Sequence, residues 1–381
     1  MSGNRLQSKA WLLALGVVVS LGLALPGWAS GATVTSVAKG LDNPRDLAFS
    51  PEGKLYVAEA GHGGGECFKL PAHEPGEEEE ESCVGFTSGV SRIDSSGAHK
   101  VLTGFFSIAG PDGSGATGVD GISFQGNRLF GIETGNSASL GPSAPPGVSA
   151  ATFAKVKAQI GRLGVANPGG HVSVVANVGD FDFNWTLEHK ELVPEQFPDA
   201  NPYGVLAEPG GEFVVDAASN TLDWVSASGK IQVLAFIPNP PASDAVPTCL
   251  DKGPDGSIYI SNLGGAGNAP GASSVFRWNA RQGLEVWATG LTSVTGCGFG
   301  PGGQFYATEF STKNLIEAAP GTGAVVRVAP HSSSPTTVVD GLNFPGGFAA
   351  SKDAIYVSNW SVLPAFTGGG PTGEVLRISG H

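Results

Sequence analysis

One phrase recurs along this chain and limits what it can fold into. NPRDLAFSPEGKLYVAEAG (Asn43–Gly61) reads as an apolar strand, a tight turn and a second strand closing on a carboxylate. Five looser copies follow: VDGISFQGNRLFGIETG (Val119–Gly135), YGVLAEPGGEFVVDAAS (Tyr203–Ser219), TCLDKGPDGSIYISNLG (Thr248–Gly264), GCGFGPGGQFYATEFST (Gly296–Thr312) and GGFAASKDAIYVSNWS (Gly346–Ser361). Most of their turns carry Gly or Pro. Gly supplies positive φ and Pro presets the corner, as a hairpin requires.

Further strand-like runs follow the hairpins. The third-strand candidates are VSRID, RLGVA, LDWVSA, SVFRWN, AVVRVA and EVLRIS; the fourth are HKVLTGF, VSVVANV, IQVLAFI, LEVWATG and TTVVDG. The sixth unit has no fourth strand after EVLRIS, but VTSVAKG (Val34–Gly40) has that pattern at the other end of the chain. The expected fold is therefore all-β, a six-bladed β-propeller closed by the N-terminal strand completing the last blade. Closure protects the sheet edges. Asp216, Asn262, Glu309 and Asn359, at second-strand ends, are 46, 47 and 50 residues apart, about one blade each.

Residues 1–29 read as a secretory signal: basic Arg5 and Lys9, the mainly apolar run Trp11–Leu25, then the small-residue sites Gly27-Trp28-Ala29 and Ser30-Gly31-Ala32. The run is shorter than the ~20 apolar residues a membrane span needs. The expectation is a secreted protein with no membrane span after cleavage and one domain over 30–381. Losing the two cations takes the net charge from −13 to −15. That excludes nucleic-acid binding, which relies on Lys and Arg meeting phosphates, and disfavours anionic membranes.

Four cysteines in an exported chain suggest two disulfides. Cys67 and Cys83 bracket an acidic insertion and are paired here; such a loop stabilises by roughly 3 kcal/mol in the chain-entropy model. Cys249 and Cys297 open the first strands of adjacent units and form the second expected pair, with two free buried thiols as the other reading. No Cys-x-x-Cys is present and the seven His are scattered, so zinc is disfavoured. No Gly-x-Ser-x-Gly elbow, phosphate loop or zinc-protease helix appears.

The insertions are expected at 62–87, with the run Glu77–Glu81 and no core of its own, at 136–160, with a helix over Ser149–Leu163, and at 181–202, with Trp185 and His189. Alternating strand directions bring the large loops to one rim, where function usually resides. His62, His73 and His189 lie on that rim and read mainly as exposed bystanders. The second-strand ends Glu59, Glu133, Asp216, Asn262, Glu309 and Asn359 point the same way. They suggest an oxygen ring for Ca²⁺ or another divalent cation, general acid–base chemistry, or simple hydrogen bonding to backbone. Near them, at first-strand starts, lie Arg45, Asp46, Asp120, Tyr203 and Thr248, of which Arg45, Asp46, Asp120 and Tyr203 are the candidate ligand-binding residues.

NPRDLAFSPEGKLYVAE, with NPYGV (Asn201–Val205) and TGCGFGPGGQFYATEF (Thr295–Phe310), resembles the ScyD/ScyE family of secreted, NHL-repeat-like propellers across the whole mature chain. That resemblance implies the fold and export but supplies no reaction. The chain also resembles two enzyme groups more distantly. Gluconolactonase-like propellers hold a divalent metal through Glu, Asn and Asp, types matched by Glu59, Asn262 and Asp216, but their Glu-Gly-Pro opening is absent. Sorbosone-dehydrogenase-like quinoproteins share a phrase like GLDNPRDLAFSPEGKLYVAE, yet they grip an anionic quinone with basic residues and this rim is acidic. Two functions are expected to compete: a scaffold binding a small molecule or extracellular protein on the decorated face, and a metal-dependent hydrolase of the lactonase type.

Overall fold

The computed structural model describes residues 31–70, 80–167, 170–239, 241–362 and 371–380. The expected signal segment, His73 and Glu77–Glu79 lie outside them. Six antiparallel sheets form a six-bladed β-propeller. Blade one uses Pro44–Phe49, Leu55–Glu59, Glu80–Asp94 and Gly97–Ala109. Blade two uses Val119–Gln125, Arg128–Glu133, Arg162–Ala166 and Val172–Asn177; blade three uses Pro202–Glu208, Gly211–Asp216, Thr221–Ser226 and Ile231–Phe236. Blade four uses Pro247–Lys252, Ile258–Asn262, Ser273–Asn279 and Gly283–Leu291; blade five uses Val294–Phe299, Phe305–Glu309, Gly323–Val328 and Thr336–Leu342. In blade six Phe348–Ala350, Ala354–Asn359 and Gly373–Ser379 are completed by Thr33–Leu41 from the N-terminal side, which pairs antiparallel with Gly373–Ser379.

The short turns work as the sequence suggests. In SPEG the Gly53 N–H donates to Ser50 O at 2.8 Å with φ at 76°, and Gly256 and Gly303 close the same turn in blades four and five. An aromatic rule joins the blades. At four seams a first-strand ring meets the second-strand tyrosine of the preceding blade: Phe124 on Tyr56, Phe299 on Tyr259, Phe348 on Tyr306, and Phe49 on Tyr356 across the closing seam. Most of these contacts are edge-to-face, the arrangement that ring quadrupoles prefer.

The first insertion departs from expectation. Glu66–Leu70 pairs with Glu80–Val84, and the latter is the start of one long strand that continues as the third strand of blade one. The insertion is thus an outgrowth of the blade. It also has a core: Val84, Phe106, Val156 and Ile160 are buried together, with Phe68, Phe86 and Leu140 packed on them. Val156 belongs to helix α1 (Ala150–Gln159), and Ser149 caps that helix by accepting from the Thr152 N–H. Glu66 accepts from the Ser149 N–H and from Thr152 Oγ1, placing an anion at the helix start, where the dipole favours it. The first two insertions therefore pack as one unit. The third insertion contains a helix the sequence reading missed, α2 (Val178–Glu188), with Asn177 as its cap.

Both disulfides form. Cys67 and Cys83 are cross-strand neighbours with Cα atoms 3.9 Å apart; Cys249 and Cys297 tie the first strands of blades four and five with Cα atoms 5.6 Å apart. No described helix is long and apolar enough to cross a membrane.

Candidate ligand site in the central channel

Of the roles expected for the second-strand ends, hydrogen bonding to backbone is the one most of them take. Five of them grip the segment leading into their own blade. Glu59 accepts from the Asp42 N–H at 2.8 Å, Asp216 from Asn201 at 2.8 Å, Glu309 from Thr292 at 2.8 Å and Asn359 from Asn343 at 2.8 Å, while Asn262 donates to Ala245 O at 2.9 Å. In four blades the next residue has positive φ without being glycine: Asn43 at 51°, Val246 at 50°, Ser293 at 47° and Phe344 at 46°. A left-handed non-glycine residue costs roughly 1–2 kcal/mol. The side-chain latch offsets that cost by fixing the corner that turns the chain into the channel. Glu133 differs: one of its carboxylate oxygens is buried without a hydrogen-bond partner, and burial raises its pKa to about 8 despite nearby Arg162. Burial likewise raises Glu309 to about 7.

Glu59 also accepts from Ser91 Oγ and pairs with Lys100 at 3.0 Å. Asp216 accepts two further backbone N–H groups, from Ala218 and Ser219. With Asn262 holding backbone on both its amide atoms, the three residues that the gluconolactonase resemblance marks as ligands are all committed elsewhere. Among the described residues no three His, Cys, Asp or Glu side chains are grouped to hold a metal ion. The set does not fit the expected Ca²⁺ site.

The first-strand starts, by contrast, come together. Strand pairing aligns Arg45, Asp120, Tyr203, Thr248, Thr295 and Gly346 as equivalent positions of the six blades. The following position is Gly121, Gly204, Gly296 and Gly347 in four blades, Cys249 in blade four and Asp46 in blade one. Glycine is needed there because adjacent first strands nearly touch: a Cβ on Gly121 would lie 2.5 Å from Tyr203 O, and one on Gly296 would lie 2.7 Å from Gly346 O. Inside this ring is a cavity of about 340 Å³, whose wall includes Asp46, Asp120, Tyr203, Thr248, Asp251 and Thr295.

Arg45 reaches across the first seam. Its Nε lies 3.0 Å from Asp120 Oδ1, and its Nη2 donates to Ala116 O. Burial raises the Asp120 carboxyl to about 6, with Arg45 opposing the rise. Asp46 accepts from the Leu47 N–H at 2.8 Å and from the Ile122 N–H of blade two at 3.1 Å. Desolvation dominates even so and raises it to about 7, helped by the charge of Asp251. Asp251 itself stands at about 6, again through burial, although the Phe299 and Lys252 N–H groups donate to it. Burial also raises the Tyr203 phenol, with Asp120 and Asp46 adding to the rise and Arg45 opposing it. The channel wall thus carries carboxyl groups raised towards neutrality and a phenol on a rigid frame, while the Thr248 and Thr295 hydroxyls donate to Val294 O at 2.7 Å and Pro345 O at 2.9 Å in the next blade.

The rim histidines sit apart from this wall. His62, about half exposed, pairs through Nδ1 with Asp42. His189 stacks on Trp185 with ring centroids 4.2 Å apart and donates from Nδ1 to Trp185 O. Sequence reasoning missed Asp251 and Thr295 as channel residues. The register that would reveal them, counted back from the second-strand end, was available in the repeat.

No protein-family model matches the chain, and no curated protein matches its sequence. Solved structures do match, at the level of fold. A putative oxidoreductase (glucose dehydrogenase) from Thermus thermophilus is similar over 91% of this chain and 100% of that one, with 13% identity and a TM-score of 0.51. A gluconolactonase from Xanthomonas campestris is similar over 91% of this chain and 89% of that one, with 8% identity and a TM-score of 0.50. At such identities the likeness establishes the propeller alone.

Proposed function

We propose that this chain is an exported binding propeller of the ScyD/ScyE type that takes a small molecule, or the protruding group of an extracellular protein, into the decorated mouth of its channel. The observation that carries the reading is the ring of equivalent first-strand positions. Five of the six bear a charged or hydrogen-bonding side chain, and the ring surrounds a cavity of about 340 Å³. Arg45, Thr248 and Thr295 also tie their blades to the next through backbone carbonyls, while Asp46, Asp120 and Tyr203 line the cavity. Pockets of this size with a few convergent polar groups are the usual form of a ligand site. Asp46 strengthens the reading, because it places a carboxyl group where four other blades keep glycine. Export is supported by the basic-then-apolar N-terminal segment and by the two disulfides, which persist in oxidising compartments.

The test is a small-molecule screen by thermal shift on the mature protein, repeated on Asp46→Asn and Tyr203→Phe. Both variants keep the shape of the wall. Ligands of the channel should stabilise the wild type and lose most of that effect in at least one variant. Ligands that stabilise all three proteins equally would place binding elsewhere and remove the reading.

A further inference from the structure

Beneath α2, away from the channel wall, three carboxyl groups meet with no cationic side chain beside them among the described residues. Asp182 comes from the helix, Asp216 from the end of the second strand of blade three, and Asp223 from its third strand. Each is 0% exposed. Asp182 lies within hydrogen-bonding reach of both others. Asp216 Oδ1 collects the N–H groups of Asn201, Ala218 and Ser219, and Asp223 Oδ2 accepts from Thr221 Oγ1 at 2.8 Å. Both oxygens of Asp182, Oδ2 of Asp216 and Oδ1 of Asp223 have no other hydrogen-bond donor.

Ionised carboxylates only accept hydrogen bonds, and three buried negative charges in contact repel strongly. Something must supply positive charge or protons. No grouping suited to a metal ion is present among the described residues. We propose that Asp182, Asp216 and Asp223 are a proton-sharing lock that fastens α2 to blade three and opens when the shared protons are lost. Two protons suffice. One on Asp223 is donated to Asp182, and one on Asp182 is donated to Asp216. The remaining negative charge rests on Asp216, where three backbone N–H groups stabilise it.

The charges around the lock act in the same direction. Asp216 and Asp223 both push the Asp182 carboxyl upward, and the next acidic groups, Asp199 and Asp244, are also raised by burial. On α2 itself, Asp180 is turned to Ser137 and Asn177, and His189 is stacked on Trp185. An unfolded chain releases its Asp protons near pH 4. The folded lock keeps them longer, so folding takes up protons. Stability from this source is greatest in mild acid and is lost as pH rises through the lock's own titration. Because α2 carries Trp185 and precedes the strand bearing Tyr203, opening would loosen one side of the decorated rim.

The experiment compares wild type with Asp182→Asn in the presence of a chelator, by thermal melting and by hydrogen exchange over 178–188 between about pH 5 and pH 9. An Asn amide donates to both neighbours without titrating. The expected result is a wild-type melting temperature that falls by several degrees as pH rises. Exchange in α2 should accelerate beyond the intrinsic base-catalysed increase, and both trends should be flattened in the variant. If Asp182→Asn does not fold, Asp223→Asn is read in the same way. Equal pH dependence in wild type and the folded variant would overturn the proposal. So would a Ca²⁺-dependent rise in wild-type melting temperature that the chelator reverses, since an ion would then be supplying the charge.

Discussion

Arg45 Nε stands 3.0 Å from Asp120 Oδ1, a buried pair spanning the seam between the first two blades at the head of the channel. The pair ties two equivalent positions of the repeat to each other, whereas in the other blades those positions carry smaller or uncharged groups. Breaking it from one side strands a buried charge. Asp120→Ala is therefore expected to destabilise by about 3–5 kcal/mol in urea unfolding. Replacing both residues by apolar ones of similar size should cost much less, which separates the stranded charge from lost packing.

Glu309 and Ser293 make a coupled pair of another kind. The Glu309 carboxylate holds the Thr292 N–H, and Ser293 beside it has a φ of 47°. Glu309→Ala should cost about 1–3 kcal/mol. Adding Ser293→Gly should recover roughly 1 kcal/mol by removing the left-handed penalty. The bound-metal content, read by elemental analysis, should not change in either variant. Loss of a stoichiometric divalent ion with Glu309 would restore the metal ring that the geometry argues against.

The two disulfides should differ in weight. Cys249–Cys297 closes a loop of 48 residues and Cys67–Cys83 one of 16. The chain-entropy model gives about 4 and about 3 kcal/mol respectively. A paired Cys→Ser change at Cys249 and Cys297 should lower the melting temperature more than the same change at Cys67 and Cys83. The latter should mainly loosen the unit built around Val84 and Val156, a local effect visible by limited proteolysis near α1.

The channel carboxyl groups give a pH dependence of definite sign. Asp46, at about 7, and Asp251, at about 6, both lie above the ordinary aspartate value. Folding therefore favours their protonated forms, and their contribution to stability falls as pH rises from about 4 towards 7. Asp46→Asn should remove part of that slope. Carbon-detected NMR titration of Asp46 in the wild type should show a midpoint near neutrality. A midpoint near 4 would contradict the desolvation argument.

How much of this was legible before the fold was seen depends on the range of the interaction. The blade count, the closing strand and the Cys249–Cys297 pair follow from a period that any register-keeping hairpin leaves in the sequence, and Cys67–Cys83 from bracketing an insertion. Arg45, Asp46, Asp120 and Tyr203 were legible for the same reason, being first-strand starts. For the second-strand ends several roles stayed open, because the repeat gives position along a strand but not the direction of the side chain. Glu59 and Glu309 turn back to their own blade's lead-in segment, a choice made by an N–H beside a left-handed corner. The helix α2 was hidden because its buried side includes Asp182 and Thr186 rather than an apolar stripe. The core of the first insertion was hidden because its members come from separate segments, with Phe68 and Val156 meeting only in the fold.

On the proposed reading the channel binds a ligand through first-strand side chains. The most direct measurement is the thermal-shift screen on wild type, Asp46→Asn and Tyr203→Phe, followed by titration calorimetry of any stabilising compound. Binding to the wild type should weaken by at least tenfold, about 1.4 kcal/mol, in one or both variants while their unliganded melting stays cooperative. Undiminished binding to both variants would contradict the claim.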